Sequence, residues 1–218
     1  MAPVCVAGVA AVSAAAVTYV TTPHSAGDVA AVVGLFIGMV LAERFPVPVE
    51  GMDAGGVTLG FVFAVAGILL FGWQAGVLIA AGGPTVTHLI GRRPPMRVAY
   101  NGSMFALAAL AGGLAIEPIP ETSVGGLLAR LAICAFIYNW VVNLVLISAV
   151  LAVNSGKPFF KLMIANVRQT TAPFALMASA ALMLVVLWER SPALSIALVG
   201  PLLAIALYQR SKIGRAHV

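Results

Sequence analysis

Charge is what this sequence has least of. Asp, Glu, Lys and Arg together make up 9% of it, against 61% hydrophobic residues and a mean hydropathy of +1.06. An ordinary soluble domain is roughly a quarter charged and about half apolar. A water-borne globule of 218 residues could not hide this much apolar surface, so lipid is the expected solvent. Cysteine is nearly missing as well. Cys5 and Cys134 both sit in apolar runs and have neither disulfide nor metal spacing. His24, His88 and His217 form no ligand set, and no Gly-rich phosphate loop, HExxH or CxxC occurs. No metal or other cofactor is therefore expected. Low-complexity linkers and repeats of solenoid length are also lacking, which sets aside arrays and disordered scaffolds. The first twenty residues have no basic n-region, so they read as a retained span and not a cleaved leader.

What is present is a series of apolar runs. A membrane helix needs about 20 such residues, with a range of roughly 17–25. Eight runs cover approximately 3–20, 28–42, 57–72, 74–90, 98–116, 124–153, 171–187 and 192–208. The second, third and fourth are short. They suit tilted spans, re-entrant segments, or a helical hairpin that stops inside the membrane. The fold class is therefore all-α: a polytopic transmembrane helical bundle of six to eight membrane helices. Closed barrels need strict alternation, which these runs lack.

The net charge of +5 is read by position, as topology and not as a nucleic-acid footprint. With eight spans, one side collects Arg44, Arg92, Arg93, Arg97, Lys157, Lys161, Arg168, Arg210, Lys212 and Arg215, ten of the twelve basic residues. Only Arg130 and Arg190 fall opposite, beside Glu117 and Glu121. The positive-inside rule makes the basic side cytoplasmic, with both termini on it. The segment "KPFFKLMIANVRQ" mixes aromatic and basic residues. It reads either as a short helix lying on the inner leaflet or as an ordinary loop entering the seventh span.

Chemistry-bearing residues are few. "FIYNWVVNL" places Tyr138, Asn139 and Asn143 together, and the two asparagines share a helical face. Arg130 lies further up the same span, and Asn101 begins the span before it. Polar groups inside a membrane face the bundle interior. This cluster either glues helices together or lines a ligand pocket. Three small-residue spacings match GxxxG: Gly34 with Gly38, Gly56 with Gly60, and Gly72 with Gly76. They imply close internal packing of helices, with homodimerisation as a further use. Glu43, Glu117 and Glu189 all sit at span ends, so the carboxylate of a proton-driven pump is missing from the span interiors.

The succession "AERFPVPVEG", "GGVTLGFVFAVAGILLFGW", "RRPPMRVAYNGSMFALAALAGG", "YNWVVNLVLISAVL" and "GKPFFKLMIANVRQTT" resembles a bacterial membrane region. That region stands at the N-terminus of cyclic-di-GMP signalling proteins, especially actinobacterial ones, ahead of a GGDEF diguanylate cyclase or an HD-GYP phosphodiesterase domain. The resemblance covers roughly 28–210. It implies a multi-pass sensory or anchoring domain in the bacterial cytoplasmic membrane. Its partners would be the bilayer, a second copy and a C-terminal output domain. No GGDEF, HD or GYP signature occurs here, so enzymatic activity is expected only of that output domain.

The tail fits this reading. The codons ATC GGA AGA GCA CAC GTC, a series resembling sequencing-adapter read-through, would translate to "IGRAHV"; the alternative is a genuine short basic tail. The expected organisation is a membrane domain over 1–210 and a truncated tail over 211–218, with 213–218 an artefact. The competing class is a small-molecule uptake component, similar to the substrate-binding subunit of an energy-coupling-factor transporter. Its pocket would lie around Asn139. A membrane-embedded enzyme is disfavoured because no acid, base or metal set clusters.

Overall fold

A computed structural model of the protein describes residues 1–46, 58–192, 194 and 200, with backbone only at 142, 143, 168 and 169. The described residues form helices and no strand. In order these are α1 (Ala2–Thr21), α2 (Ala26–Arg44), α3 (Gly60–Ile90), α4 (Pro95–Ile116), α5 (Val124–Asn139), a π-helical segment (Trp140–Ile147), α6 (Ser148–Ser155) and α7 (Phe159–Arg190). Among the described residues, six helices are long and apolar enough to cross a membrane: α1, α2, α3, α4, the α5–α6 unit and the later part of α7. The chain is an all-α, multi-pass membrane protein. The eighth run, the tail and the loop at 47–57, which includes Gly56, lie outside the described residues.

Local signals explain the helix boundaries. Ser25 and Asp28 form a reciprocal capping box at the start of α2: the Asp28 amide donates to Ser25 Oγ (3.0 Å), and the Ser25 amide donates to Asp28 Oδ2 (3.1 Å). The "RRPP" turn ends α3 and begins α4, whose first residue is Pro95, where a missing amide costs nothing. Gly156, at φ 67, closes α6 in the left-handed conformation that glycine adopts without strain. The "KPFFKLMIANVRQ" segment is neither a separate surface helix nor a loop. It forms the opening turns of α7, a continuous helix through Pro173.

The core is a hairpin. At Gly72 the backbone of α3 turns to φ 82, ψ 173, and the chain folds back on itself. A Cβ added to Gly76 would stand 3.2 Å from Ile68 Cα, and one on Gly67 would stand 3.8 Å from Gly76 Cα. In a straight helix those eight and nine steps would span roughly 12 and 13.5 Å. The third and fourth apolar runs are therefore two arms lying side by side. The first arm, residues 60–71, is roughly 18 Å long by helix rise, too short to cross a hydrocarbon core of about 30 Å alone. Both arms are sheathed by other helices: α2, α1, α4, α5 and α7 all touch α3. Phe61, Val62, Phe63, Ile68, Val77 and Ile79 are all buried.

Glycines set how closely these helices approach. Gly8 of α1 faces Ser103 of α4, Gly38 of α2 faces the Phe63 ring, Gly83 faces Met39, and Gly113 of α4 faces Trp73. Lipid tails are as apolar as leucine, so helices in a bilayer associate through such close packing and not through water exclusion. Gly34 departs from the expectation. It is exposed with nothing near its missing Cβ, so its GxxxG spacing with Gly38 makes no crossing. Gly38 lies one helical turn further on and about 40° round, enough to face the hairpin.

Candidate functional site

The hairpin sets the polarity of the bundle. Met1, the α3–α4 turn and the end of α6 meet at one end, where Arg97 and Asn154 line the same cleft. Arg92, Arg93, Lys157 and Lys161 are exposed in the turns and helix starts around it. The opposite end joins the start of α5 to the end of α7, with Glu121, Arg130 and Glu189 around one pocket. Both Glu117 and Glu121 are exposed there. The Arg168 side chain lies outside the described residues.

The basic-end cleft has a volume of about 780 Å³ and runs between α1, α4 and the π segment with α6. One wall is apolar, from Met96, Met104, Ile147, Val150 and Leu151. Polar groups lie at Arg97, Asn101 and Asn154. Tyr100 donates its hydroxyl to the Leu146 carbonyl (3.3 Å) and so ties α4 to the π segment across the cleft. Asn101 is half-buried, and its Nδ2 lies 3.3 Å from His88 Nδ1 at the end of α3. It neither caps α4 nor turns to Tyr138.

A second polar pair lies at the same end of the hairpin. Thr58 donates its hydroxyl to Glu43 Oε1 (2.5 Å) just before the first arm begins, and Gly60 leaves room for that carboxylate. Thr87 donates to the Val40 carbonyl (3.3 Å) from the second arm. Glu43 thus ties the end of α2 to the opening of the hairpin, where a carboxylate suits the positive end of the first arm. Its position at a span end concealed this. The available signal was its four-residue spacing from Met39, which is buried on the same face.

Of the expected cluster, Asn101 and Arg130 find partners elsewhere, and Tyr138 sits among aromatic rings. Tyr138 is 1% exposed and wedged between Phe61 (5.4 Å between centroids, edge-on) and Phe105 (6.3 Å). Its hydroxyl finds no hydrogen-bond partner among the described residues. Asn139 is half-buried. From Trp140 the helix is π, with hydrogen bonds spanning five residues. The Asn143 side chain lies outside the described residues. Arg130, a little over two turns before Tyr138 along α5, pairs with Glu121 at the acidic end instead. Its Nε is buried without a partner among the described residues. The pocket there is smaller, about 250 Å³.

No group of three or more His, Cys, Asp or Glu able to hold a metal is found among the described residues. Cys134 is buried against Gly112, and Cys5 is half-buried in α1; both are free thiols. The chain matches no family model, no curated protein and no solved structure.

Proposed function

We propose that this chain is the membrane sensory or anchoring domain of a signalling protein, held in a bacterial cytoplasmic membrane with its basic end inward. The observation that carries this reading is a difference in packing. Of the most apolar window of the hairpin 67% is buried, whereas in Val124–Ser155 the share is 12%. A domain that switches needs a fixed part and a part with a second packing available to it. The glycine-packed hairpin supplies the first. The α5–π–α6 unit supplies the second, because a π segment inside a helix marks a place where the ladder shifts register. The following helix, α7, is packed against both the hairpin and this unit, so a shift in one is felt in the other. Exposed apolar residues such as Phe136 and Leu176 suit lipid or a second copy.

The class of output domain rests on the resemblance alone: a GGDEF cyclase or an HD-GYP phosphodiesterase. The decisive experiment is to recover the genomic DNA beyond the codon for Lys212. A downstream GGDEF or HD-GYP domain in frame is the expected result. A stop codon followed by a neighbouring ATPase gene would overturn it and favour the uptake component. The pocket at the acidic end, with the unpartnered Arg130 Nε, is the feature that favours that second reading. Orientation has its own check. Cysteines placed at Lys157 and Thr122 should react with an impermeant maleimide from the inside and the outside, respectively, of oriented vesicles prepared from a Cys5→Ser/Cys134→Ala background.

A further inference from the structure

The basic-end cleft combines three features seldom found together on a surface made for lipid tails alone. Its polar mouth carries a guanidinium, Arg97, and two amides, Asn101 and Asn154, and no carboxylate is among its lining residues. It opens at the start of α4, where Pro94 provides no side-chain cap; Pro95 has no amide and the Arg97 amide donates to the Pro94 carbonyl (2.9 Å), so the first turn presents the Met96 amide to the cleft mouth. An uncapped helix start favours a negative group. Below the mouth the walls become apolar, from Met104, buried at the floor, to Ile147, Val150 and the exposed Leu151. A soluble anion would use the mouth and leave those walls bare. A hydrocarbon chain would use the walls and leave the guanidinium unmatched.

We infer that this cleft is a binding site for an anionic phospholipid, with the headgroup phosphate at Arg97, Asn101 and Asn154 and an acyl chain lying along Met96, Ile147 and Leu151. The charge of the mouth selects the phosphodiester. The apolar wall and the position of the cleft, beside the basic turns at one end of the membrane-crossing bundle, select a lipid over free phosphate. Basic pockets between membrane helices on the cytoplasmic side bind anionic headgroups for the same physical reason. The volume of about 780 Å³ lies within the roughly 300–1,000 Å³ range of well-formed ligand sites. Because Tyr100 binds the Leu146 carbonyl at the edge of this cleft, an occupied site would brace the π segment against α4. The inference needs the membrane setting but no output domain, so it stands or falls separately from the signalling reading.

The test uses the full chain, delipidated in detergent and reconstituted into vesicles of phosphatidylcholine mixed with phosphatidylglycerol. Native mass spectrometry then counts the lipid that stays bound. Wild type is expected to retain phosphatidylglycerol over phosphatidylcholine by about fivefold or more, on the scale of one basic residue at a membrane surface. Arg97→Gln should lose most of that preference. Asn154→Asp, which places a carboxylate in the mouth, should lose it too. Both residues are exposed, so neither change should disturb folding. Arg190→Gln, at the far end, should leave the preference intact. Equal retention of the two lipids by wild type would overturn the site, as would an unchanged preference in both cleft variants. So would binding of inorganic phosphate alone with no lipid preference, which would mark a free-anion site.

Discussion

The first arm of the hairpin and the α5–π–α6 unit are both apolar helices in one bundle, yet they are packed in opposite ways. Every residue from Gly60 to Leu69 is buried. Across the α5–π–α6 unit only Leu131, Cys134, Tyr138 and Ser148 are, among the residues whose side chains are described. Composition does not separate them: the hydropathy of the best window is 2.1 both in α3, which holds that arm, and in the α5–π–α6 unit. The difference lies in what surrounds each. The hairpin is wrapped by five other helices, and Gly67 and Gly76 let its own arms touch. The α5–π–α6 unit packs along α4 and α7 and turns Ile133, Phe136 and Trp140 outward. In a membrane, hydrophobicity alone does not decide which helix is central; the capacity for close backbone approach does.

The most severe way to break this comparison is to overfill the hairpin. Gly76→Leu would drive a side chain into Ile68 and should cost about 3 kcal/mol, read as a lower thermal unfolding midpoint in detergent. Leu128→Ala in α5, where the side chain is 46% exposed, should move it by less than about 0.5 kcal/mol. Similar shifts from both would show that the two regions do not differ in packing.

A somewhat smaller loss is expected at the turn itself. Gly72→Ala forces a side chain onto φ 82, ψ 173 and should cost about 1–3 kcal/mol. A Cβ there would also stand 2.9 Å from Gln74 Oε1. Removing that oxygen as well, in Gly72→Ala/Gln74→Ala, should recover little, because the strain belongs to the backbone. Full recovery would assign the effect to the glutamine.

Thr58→Val removes the hydroxyl that Glu43 accepts and should cost on the order of 1 kcal/mol, because a polar group is left without its partner. An unfolding midpoint equal to that of wild type would mean that the Glu43–Thr58 link does not hold α2 to the hairpin. The smallest effect separates two glycines on one helix. Gly34→Ala, with open space around it, should leave stability within about 0.5 kcal/mol of wild type or slightly above it, since alanine favours helix over glycine. Gly38→Ala, against the Phe63 ring, should cost on the order of 1 kcal/mol in the same assay. Reversed signs would place the crossing at Gly34.

Much of the architecture was legible along the chain. The spacing of Arg92, Arg93 and Arg97 from Lys157 and Lys161 required an even number of crossings between equivalent ends, and the two short runs either side of Gly72 allowed a hairpin. Pro95 and the Ser25–Asp28 pair marked helix starts. Less of the candidate site could be read. Arg130 and Tyr138 lie on one helix, but the length of α5 between them places Arg130 at the acidic end beside Glu121 and Tyr138 among the rings of Phe61 and Phe105. Met1, Arg97 and Asn154, which line one cleft, are far apart in the chain, and nothing local joins them.

The sequence by itself determined that lipid is the solvent, that the backbone must be helical, and that basic and acidic turns lie at opposite ends. Each follows from what a hydrocarbon core excludes: charge, and backbone groups without partners. Only the tertiary structure decided that Gly38 is a crossing and Gly34 is not, that Glu43 turns inward to Thr58, and that α4 and the π segment leave a cleft between them. In water, an amphipathic stripe would have marked the inner face of each helix in advance. In lipid, both faces of a helix are apolar, and the inner one is fixed only when a neighbouring helix packs against it.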